Sequence, residues 1–332
     1  MTIKERMEKF KEGFNIHFEN EVRSVLREQR DFHEITTELD EPLKDYILSY
    51  TKGGKRIRPF LIHFFGDNDN KDLITLALAV ELFHLAALIH DDMMDGSYMR
   101  RGEKTIHIAV QAYSKENTHL GTDIGLLLGD VFLTASLAKA AQLPNHLFEE
   151  FRSMIQRTIR GQYLDSFGMN QILGDQSYEE VIARHKLKTA WYTFCSPARL
   201  GYMSNKQYDL KTLEQITVIM CELGLLYQIR DDIIDCIDEN SGKALFGDIT
   251  ENQTTWVTLY IKEKYPVKFK EILQAKESNN TALLKAIFKD IDLKTPYKQE
   301  YQQRHEMIES MGEEFIELKE NMHKVLELLM LK

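Results

Sequence analysis

The residues with the clearest chemical potential lie in two short runs of carboxylates. In LIHDDMMDGSYMRRG, Asp91, Asp92 and Asp95 close an apolar stretch and Arg100 and Arg101 follow; in YQIRDDIIDCID, Asp231, Asp232 and Asp235 repeat the spacing 140 residues later. On a helix, the first and last aspartates of each run are four apart and share a face. Carboxylates this close repel unless protons or a cation intervene, and hard oxygen donors on a rigid helix suit Mg²⁺ that also holds phosphate oxygens. A single acidic cluster at a helix end is usually solvated surface. A second copy with the same spacing changes that reading. Facing each other in a bundle, two such clusters would hold several divalent cations, with a diphosphate as the bridging ligand.

A metal-held diphosphate still carries negative charge, and the chain offers compact cationic segments to meet it. GGKRIRP places Lys55, Arg56 and Arg58 beside Gly53 and Gly54, a loop whose backbone amides and side chains can approach phosphate closely. Lys188 in HKLKTA and Lys243 in SGKALFGD add two more. Taken singly, each lysine reads as an exposed solubilising charge. The whole chain is acidic: Lys and Arg total 42 against 52 Asp and Glu, a formal charge of -10. A broad nucleic-acid surface is therefore excluded, and any anionic ligand must be held by local cations.

The elements that must carry these residues are helical. Leu73, Leu76, Ala77, Val80, Phe83 and Ala87 recur at steps of three and four, with Asp72 placed as N-cap. A second stripe runs through Leu213, Ile216, Met220, Leu223 and Tyr227, and the same step marks 149–167, 178–202 and 306–331, with polar links at 173–177 and 205–210. Strand-like alternation is hard to find, and six prolines and 17 glycines are few for 332 residues. The expected fold class is all-α, a helical bundle. Length alone allows about two domains, but no Pro/Ser/Gly-rich linker or internal repeat divides the chain, so one domain over 1–332 is expected.

Cys195, Cys221 and Cys236 are too widely spaced for a CxxC pair and form no regular pattern with histidine, which predicts neither a disulfide framework nor a zinc site. The opening MTIKERMEKFKEGF lacks the apolar core of a signal peptide, so the expected location is cytoplasmic. The longest apolar stretch, 73–89, is interrupted by Glu81 and His84 and runs into two aspartates; it reads as a buried helix, not a membrane span.

GGKxxRP, DDxxD followed by RRG, KT and QxxDDxxD, in this order and covering most of the chain, resemble the trans-type isoprenyl diphosphate synthases (polyprenyl synthetases), in particular those of the geranylgeranyl diphosphate synthase kind. The resemblance implies the isoprenoid synthase bundle, usually a homodimer, with the two aspartate clusters facing across a deep central cavity. It also implies an Mg²⁺-dependent prenyltransferase that condenses isopentenyl diphosphate with an allylic diphosphate. By the same resemblance, Asp91, Asp95 and Asp231, with Asp232 and Asp235 less directly, surround the Mg²⁺ ions that bridge the allylic diphosphate, and Asp92 completes that acidic set. Arg100, Lys188 and Lys243 are implied partners of the allylic diphosphate. Lys55, Arg58, Arg101 and His84 match the positions that hold isopentenyl diphosphate. His84 lies seven residues before Asp91, two helical turns down the same face; without the resemblance it reads as a core histidine. Thr189 and Gln228 resemble residues whose oxygens face the developing carbocation.

One position departs from the pattern. GDITENQT places Gln253 where the family commonly has Lys, and an amide supplies no charge. This leaves Lys243 as the main cation of the polar, Gly-containing stretch 238–254, which reads as a lid. Product length is read below Asp91. In the family, aromatic side chains four and five residues before that aspartate commonly stop growth at C15; here those positions are Ala87 and Ala86, and Phe83 lies one turn further down, about 5.4 Å. The expected product is therefore geranylgeranyl diphosphate, C20. The rivals are a longer-chain synthase, a terpene cyclase, which has no need of GGKRIRP or Arg101, and a weakly active partner subunit, which Gln253 favours and two intact clusters disfavour.

Overall fold

The computed structural model describes residues 1–31, 40–67, 70–113, 119–238 and 245–331. Its contacts cluster into two compact units, Met1–Ser153 with Pro197–Tyr208, and Met154–Ser196 with Asp209–Lys332.

The first unit contains α1 (Ile3–Asp31), α2 (Asp40–Tyr50), α3 (Ile57–Phe65), α4 (Asp72–Met94), α5 (Ile106–Gln111), α6 (Leu120–Ala140), the start of α7 (Asn145–Gly168) and α9 (Ser196–Met203). α4 is the core helix. It buries residues around most of its circumference, including Leu76, Ala79, Val80, Leu82, Phe83 and Ala86, as an apolar helix surrounded by neighbours must. Asp72, expected as the cap, is instead the first helical residue, and Lys71 precedes it as the cap; Asn70 Oδ1 accepts the Asp72 N–H at 2.9 Å. Glycines four residues apart bring α6 onto this helix: a Cβ at Gly125 would meet Met93 Sδ at 2.6 Å, and one at Gly129 would meet His90 Nε2 at 1.9 Å. α4 and α6 are both long and apolar enough to cross a membrane by length and composition, but two thirds of the apolar window of α4 is packed inside the protein, as a core helix requires.

After α4 comes the one departure from all-helical structure among the described residues. Met99–Arg100 pairs antiparallel with Glu103–Lys104. Arg101 (φ 54°) and Gly102 (φ 83°) form the two-residue turn, both left-handed, as a hairpin of this length favours.

The second unit holds the rest of α7, α8 (Tyr178–His185), a π-helix (Lys186–Cys195), α10 (Leu210–Ile237), α11 (Gly247–Thr250), α12 (Trp256–Lys264), α13 (Pro266–Glu277), α14 (Thr281–Phe288), α15 (Lys294–Glu309) and α16 (Ile316–Glu327). α10 starts where Asp209 caps the Thr212 N–H at 2.8 Å. The helix expected over 178–202 is three successive segments, α8, the π-helix and α9, because the middle ten residues wind more widely. The helix expected over 306–331 is also divided. α15 ends at Glu309, Gly312 adopts extended backbone (ψ 157°), a short 3₁₀ turn follows, and α16 begins at Ile316.

Candidate active site

In the first unit the GGKRIRP loop is anchored through its middle arginine. Arg56, left-handed at φ 54° and 6 % exposed, donates from Nε to Asn15 Oδ1 (2.8 Å), from Nη1 to Glu81 Oε1 (2.6 Å) and from Nη2 to Thr51 O (2.5 Å). Its guanidinium also lies over the Phe18 ring at 4.7 Å. Of the three cations in the motif, Arg56 is thus structural, while Lys55 is exposed and Arg58 half-buried. The two glycines leave room for a cation from the hairpin turn. A Cβ at Gly53 would lie 3.8 Å from Arg101 Cδ, and one at Gly54 would lie 3.6 Å from Arg101 Nη2; Arg101 Nη1 donates to Lys52 O at 3.2 Å.

His84 belongs to the same cluster. Burial, together with the positive charges of Arg58, Arg101, Arg100 and Arg56, holds its imidazole well below the ordinary histidine range, so it is neutral near pH 7. Burial and the neighbouring Arg56 and Arg100 likewise lower Arg101. Like charges crowded in this way favour a bound anion. The structure therefore brings together Arg58, His84, Arg101 and the loop bearing Lys55, four positions spread over 47 residues of sequence.

At the C-terminal end of α4 the three aspartates divide. Asp92 is 1 % exposed, and both of its oxygens have protein partners: Tyr50 OH donates to Oδ2 at 2.5 Å and Arg100 Nε to Oδ1 at 2.6 Å. Asp92 thus faces inward and fixes Arg100, whose Nη2 reaches Asp91 Oδ2 at 3.5 Å. Burial opposes the charge of Arg100, but the hydrogen bond and charge of Asp92 outweigh it and raise the pKa above the usual arginine value. Burial and the Asp92 charge raise Tyr50 in turn. Asp91 and Asp95 are half-buried at the helix end, with the Asp95 N–H bonded to Asp91 O at 2.9 Å. Two carboxylates four residues apart at one helix end form a hard, all-oxygen donor set that fits a divalent cation.

In the second unit, missing side chains let three helices close on one another. A Cβ at Gly161 of α7 would fall 2.3 Å from Lys188 N, and one at Gly224 of α10 would fall 2.6 Å from Ala190 Cα. The π-helix lodged between these glycines carries Lys188 and the half-buried Thr189. Lys188 Nζ bonds Asp165 Oδ2. On α10, Asp232 is 1 % exposed; Gln228 Nε2 donates to its Oδ1 at 2.7 Å, and His185 Nε2 lies 3.8 Å from its Oδ2. Burial pushes Asp232 up to about 7, with the Gln228 hydrogen bond opposing and the Asp231 charge reinforcing the rise. Burial, with Arg184 and Lys188 nearby, holds His185 well below the ordinary histidine range. Asp231 is half-buried. Asp235 accepts the Asp248 N–H at Oδ2 (3.3 Å) and so ties α10 to the start of α11. Lys243, with residues 239–244 of the stretch read as a lid, lies outside the described residues.

Gln253 sits in a buried network. Its Nε2 donates to Asp165 Oδ1 and its Oε1 accepts from Arg184 Nη1 at 3.4 Å. Arg184, 1 % exposed, also places Nε 3.3 Å from Asp165 Oδ1, donates to Gln176 Oε1 at 2.8 Å and bonds Thr254 O. The cation absent at 253 is thus matched by one on α8, joined through the amide. Sequence reasoning missed Asp165, Arg184 and His185. A signal was present: Val181, Arg184, His185 and Lys188 fall at i, i+3, i+4 and i+7, an inward stripe in which three of four residues are titratable.

The sequence pattern of the family described as polyprenyl synthetase matches residues 38–291. The chain is 29% identical over 277 residues to the geranylgeranyl diphosphate synthase of Saccharolobus solfataricus, covering 76% of this chain and 79% of that protein. It is equally 29% identical over 263 residues to the farnesyl diphosphate synthase of Bacillus subtilis, covering 71% and 83%. Its fold resembles that of geranylgeranyl pyrophosphate synthase from Corynebacterium glutamicum, solved with isoprenyl diphosphate and magnesium, with a TM-score of 0.76 and 21% identity over 95% of this chain and 98% of that one. With the ordered motifs, the all-helical fold and a match over most of its length, this chain belongs to the polyprenyl synthetase family and is a trans-prenyltransferase that makes prenyl diphosphates.

Proposed function

We propose that the enzyme condenses isopentenyl diphosphate with an allylic diphosphate in an Mg²⁺-dependent reaction and that its product is geranylgeranyl diphosphate. The observation that carries this reading is the pairing of two ligand environments on α4, the cationic cluster around His84 and the carboxylate end at Asp91 and Asp95, two turns apart. Arg58, Arg101, Lys55 and the neutral His84 hold isopentenyl diphosphate. Asp91, Asp95 and Asp231 hold Mg²⁺, with Asp92, Asp232 and Asp235 supporting them from inward positions. Arg100, Lys188 and Lys243 bind the allylic diphosphate. When bound, Mg²⁺ neutralises charge on the departing diphosphate.

The allylic C–O bond breaks with its electron pair leaving on the diphosphate. The double bond of isopentenyl diphosphate supplies the electrons of the new C–C bond, and the resulting cation loses a proton to the released diphosphate. Thr189 and the Gln228 oxygen stabilise the allylic cation. Asp165 keeps Lys188 in place, and the Arg184–Gln253 link supplies buried positive charge where a lysine is usual, which supports an active synthase over a weak partner subunit. C20 rests on Ala86 and Ala87 above Phe83. We further propose that the two units work as one synthase domain, that the chain is a cytoplasmic homodimer, and that α4 and α6 do not span a membrane. Incubation with Mg²⁺, labelled isopentenyl diphosphate and C5, C10 or C15 primers, followed by sizing of the products, tests the reading. C20 is the expected end point; no condensation, or C15 alone, overturns it.

A further inference from the structure

α15 and α16 form a second ligand environment with chemistry unlike that of the aspartate motifs. His305 and Glu309, four residues apart on α15, meet His323 of α16, and one donor atom from each lies within 4.8 Å of the other two. Glu309 Oε1 is 2.8 Å from His323 Nε2, and the two imidazole rings are 4.7 Å apart. We propose that these three residues bind one divalent transition-metal ion of the Zn²⁺ class, which clips α16 to α15. The spacing of cysteines and histidines gave no sign of this site, because its third ligand comes from a different helix.

The donor set selects the ion. Two imidazoles and one carboxylate suit Zn²⁺, whereas the oxygen-only aspartates suit Mg²⁺. Metal–ligand bonds of about 2.0–2.2 Å in tetrahedral geometry put ligand atoms roughly 3.3–3.5 Å apart, so the observed triangle encloses an ion with side-chain adjustments of about an ångström. A hydrogen-bonded Glu309–His323 pair accounts for two of the three donors and leaves the adjoining His305 ring unexplained. Two protonated imidazoles this close would repel, but both can bind a metal in their neutral forms.

The frame is packed and the donors accessible. Ile308, Met311, Phe315, Met322 and Val325 are buried and fix the helix pair, while His305 and His323 remain half-buried and Glu309 exposed. Lys319 Nζ donates to Glu309 O at 2.9 Å and lies 3.8 Å from Oε2. It thereby steadies the carboxylate from its far side with Oε1 turned to the histidines.

The test uses the full chain, stripped with chelator and held in excess Mg²⁺ so that the aspartates are already occupied. Zn²⁺ is titrated by calorimetry, and Co²⁺ is added separately for its visible absorption. Expected are one Zn²⁺ per chain, tetrahedral Co²⁺ bands with nitrogen ligation, and a Zn²⁺-dependent rise in melting temperature. His305→Ala and His323→Ala should each weaken binding by more than the ~10–100-fold typical of losing an outer-sphere partner and abolish the thermal shift. Asp91→Ala should leave both unchanged. Glu309→Gln, which keeps size and helix propensity, should reproduce the loss if a histidine variant fails to fold. Wild-type protein that binds no Zn²⁺, or binds it equally in the histidine and glutamine variants, overturns the site.

Discussion

At the end of α4, Asp92 lies between Tyr50 and Arg100; at the end of α10, Asp232 lies between Gln228 and His185. Both aspartates occupy the second place of a DDxxD run and both are 1 % exposed, yet one accepts a hydrogen bond from an arginine and the other from an amide, with a neutral imidazole beside it and Arg184 acting only through space. The outcome follows from electrostatics. The Asp92 hydrogen bond and charge raise Arg100, whereas burial pushes Asp232 up to about 7. Identical spacing therefore does not imply identical roles. The inward aspartate of the first motif is met by an arginine hydrogen bond; at that of the second, burial outweighs the through-space charge of Arg184.

The largest effect should come from the outward donors that the motifs have in common. Asp91→Ala and Asp231→Ala should each lower kcat by about a thousandfold, the scale of losing a principal electrostatic contribution to charge separation. Far-UV circular dichroism should show that helicity survives in both. A variant that condenses at near wild-type rate would break the symmetry between the motifs and remove that residue from the metal set.

A stability measurement sharpens the contrast between the inward aspartates. Asp92→Asn strands Arg100, whose side chain keeps 22 % exposure and Asp91 at 3.5 Å. The expected loss is about 3 kcal/mol, the lower end for breaking a buried pair. Asp232→Asn removes a carboxylate that, among the described residues, accepts no cationic hydrogen bond, and metal-free protein should stay within about 1 kcal/mol of wild type or gain stability. Urea midpoints at constant m-value decide it; equal losses in the two variants would mean that the motifs are compensated alike.

Much of this was legible in the sequence. The apolar periodicity of 73–87 and 213–227 located α4 and α10, and the order of the motifs located the carboxylates. The pairing of inward groups was not legible, because Tyr50 is 42 residues from Asp92 and Gln253 is 88 from Asp165. Nor was the π-helix. It reads as ordinary helix by its apolar step, and it packs directly against Gly161 and Gly224 on neighbouring helices, contacts far away in sequence. At Arg56, type and motif both pointed to phosphate, yet a long-range partner, Glu81, turned it inward.

The cations of the two proposed diphosphate sites should separate by substrate. Lys55→Ala, Arg58→Ala and Arg101→Ala should raise KM for isopentenyl diphosphate about tenfold with little change for the primer. Lys188→Ala should do the reverse, and Asp165→Asn should follow it more weakly, since Asp165 holds the Lys188 ammonium in place. Initial rates with each substrate varied in turn read the split. If every variant raised both constants alike, the separation of these cations into two diphosphate sites would fail.

The subtlest contrast lies farther down the two helices. Four, five and eight residues before the first aspartate, α10 carries Tyr227, Leu226 and Leu223, whereas α4 carries Ala87, Ala86 and Phe83. Leu223, Leu226 and Phe83 are buried, so bulk alone does not mark a chain-length stop. The distinguishing feature of α4 is the two small residues above the ring: Ala87 remains partly accessible, and one turn of about 5.4 Å separates it from Phe83, close to the length of an isoprene unit. Phe83→Ala should therefore shift product from C20 toward longer chains, and Ala86→Phe should shift it toward C15, with total turnover nearly preserved in each. Leu226→Ala on α10 should cost packing energy while leaving the product distribution as it is. The readout is the ratio of product lengths by radio-chromatography. A distribution unmoved by Phe83→Ala, or moved equally by Leu226→Ala, would show that the floor of the growing chain is set elsewhere than at Phe83.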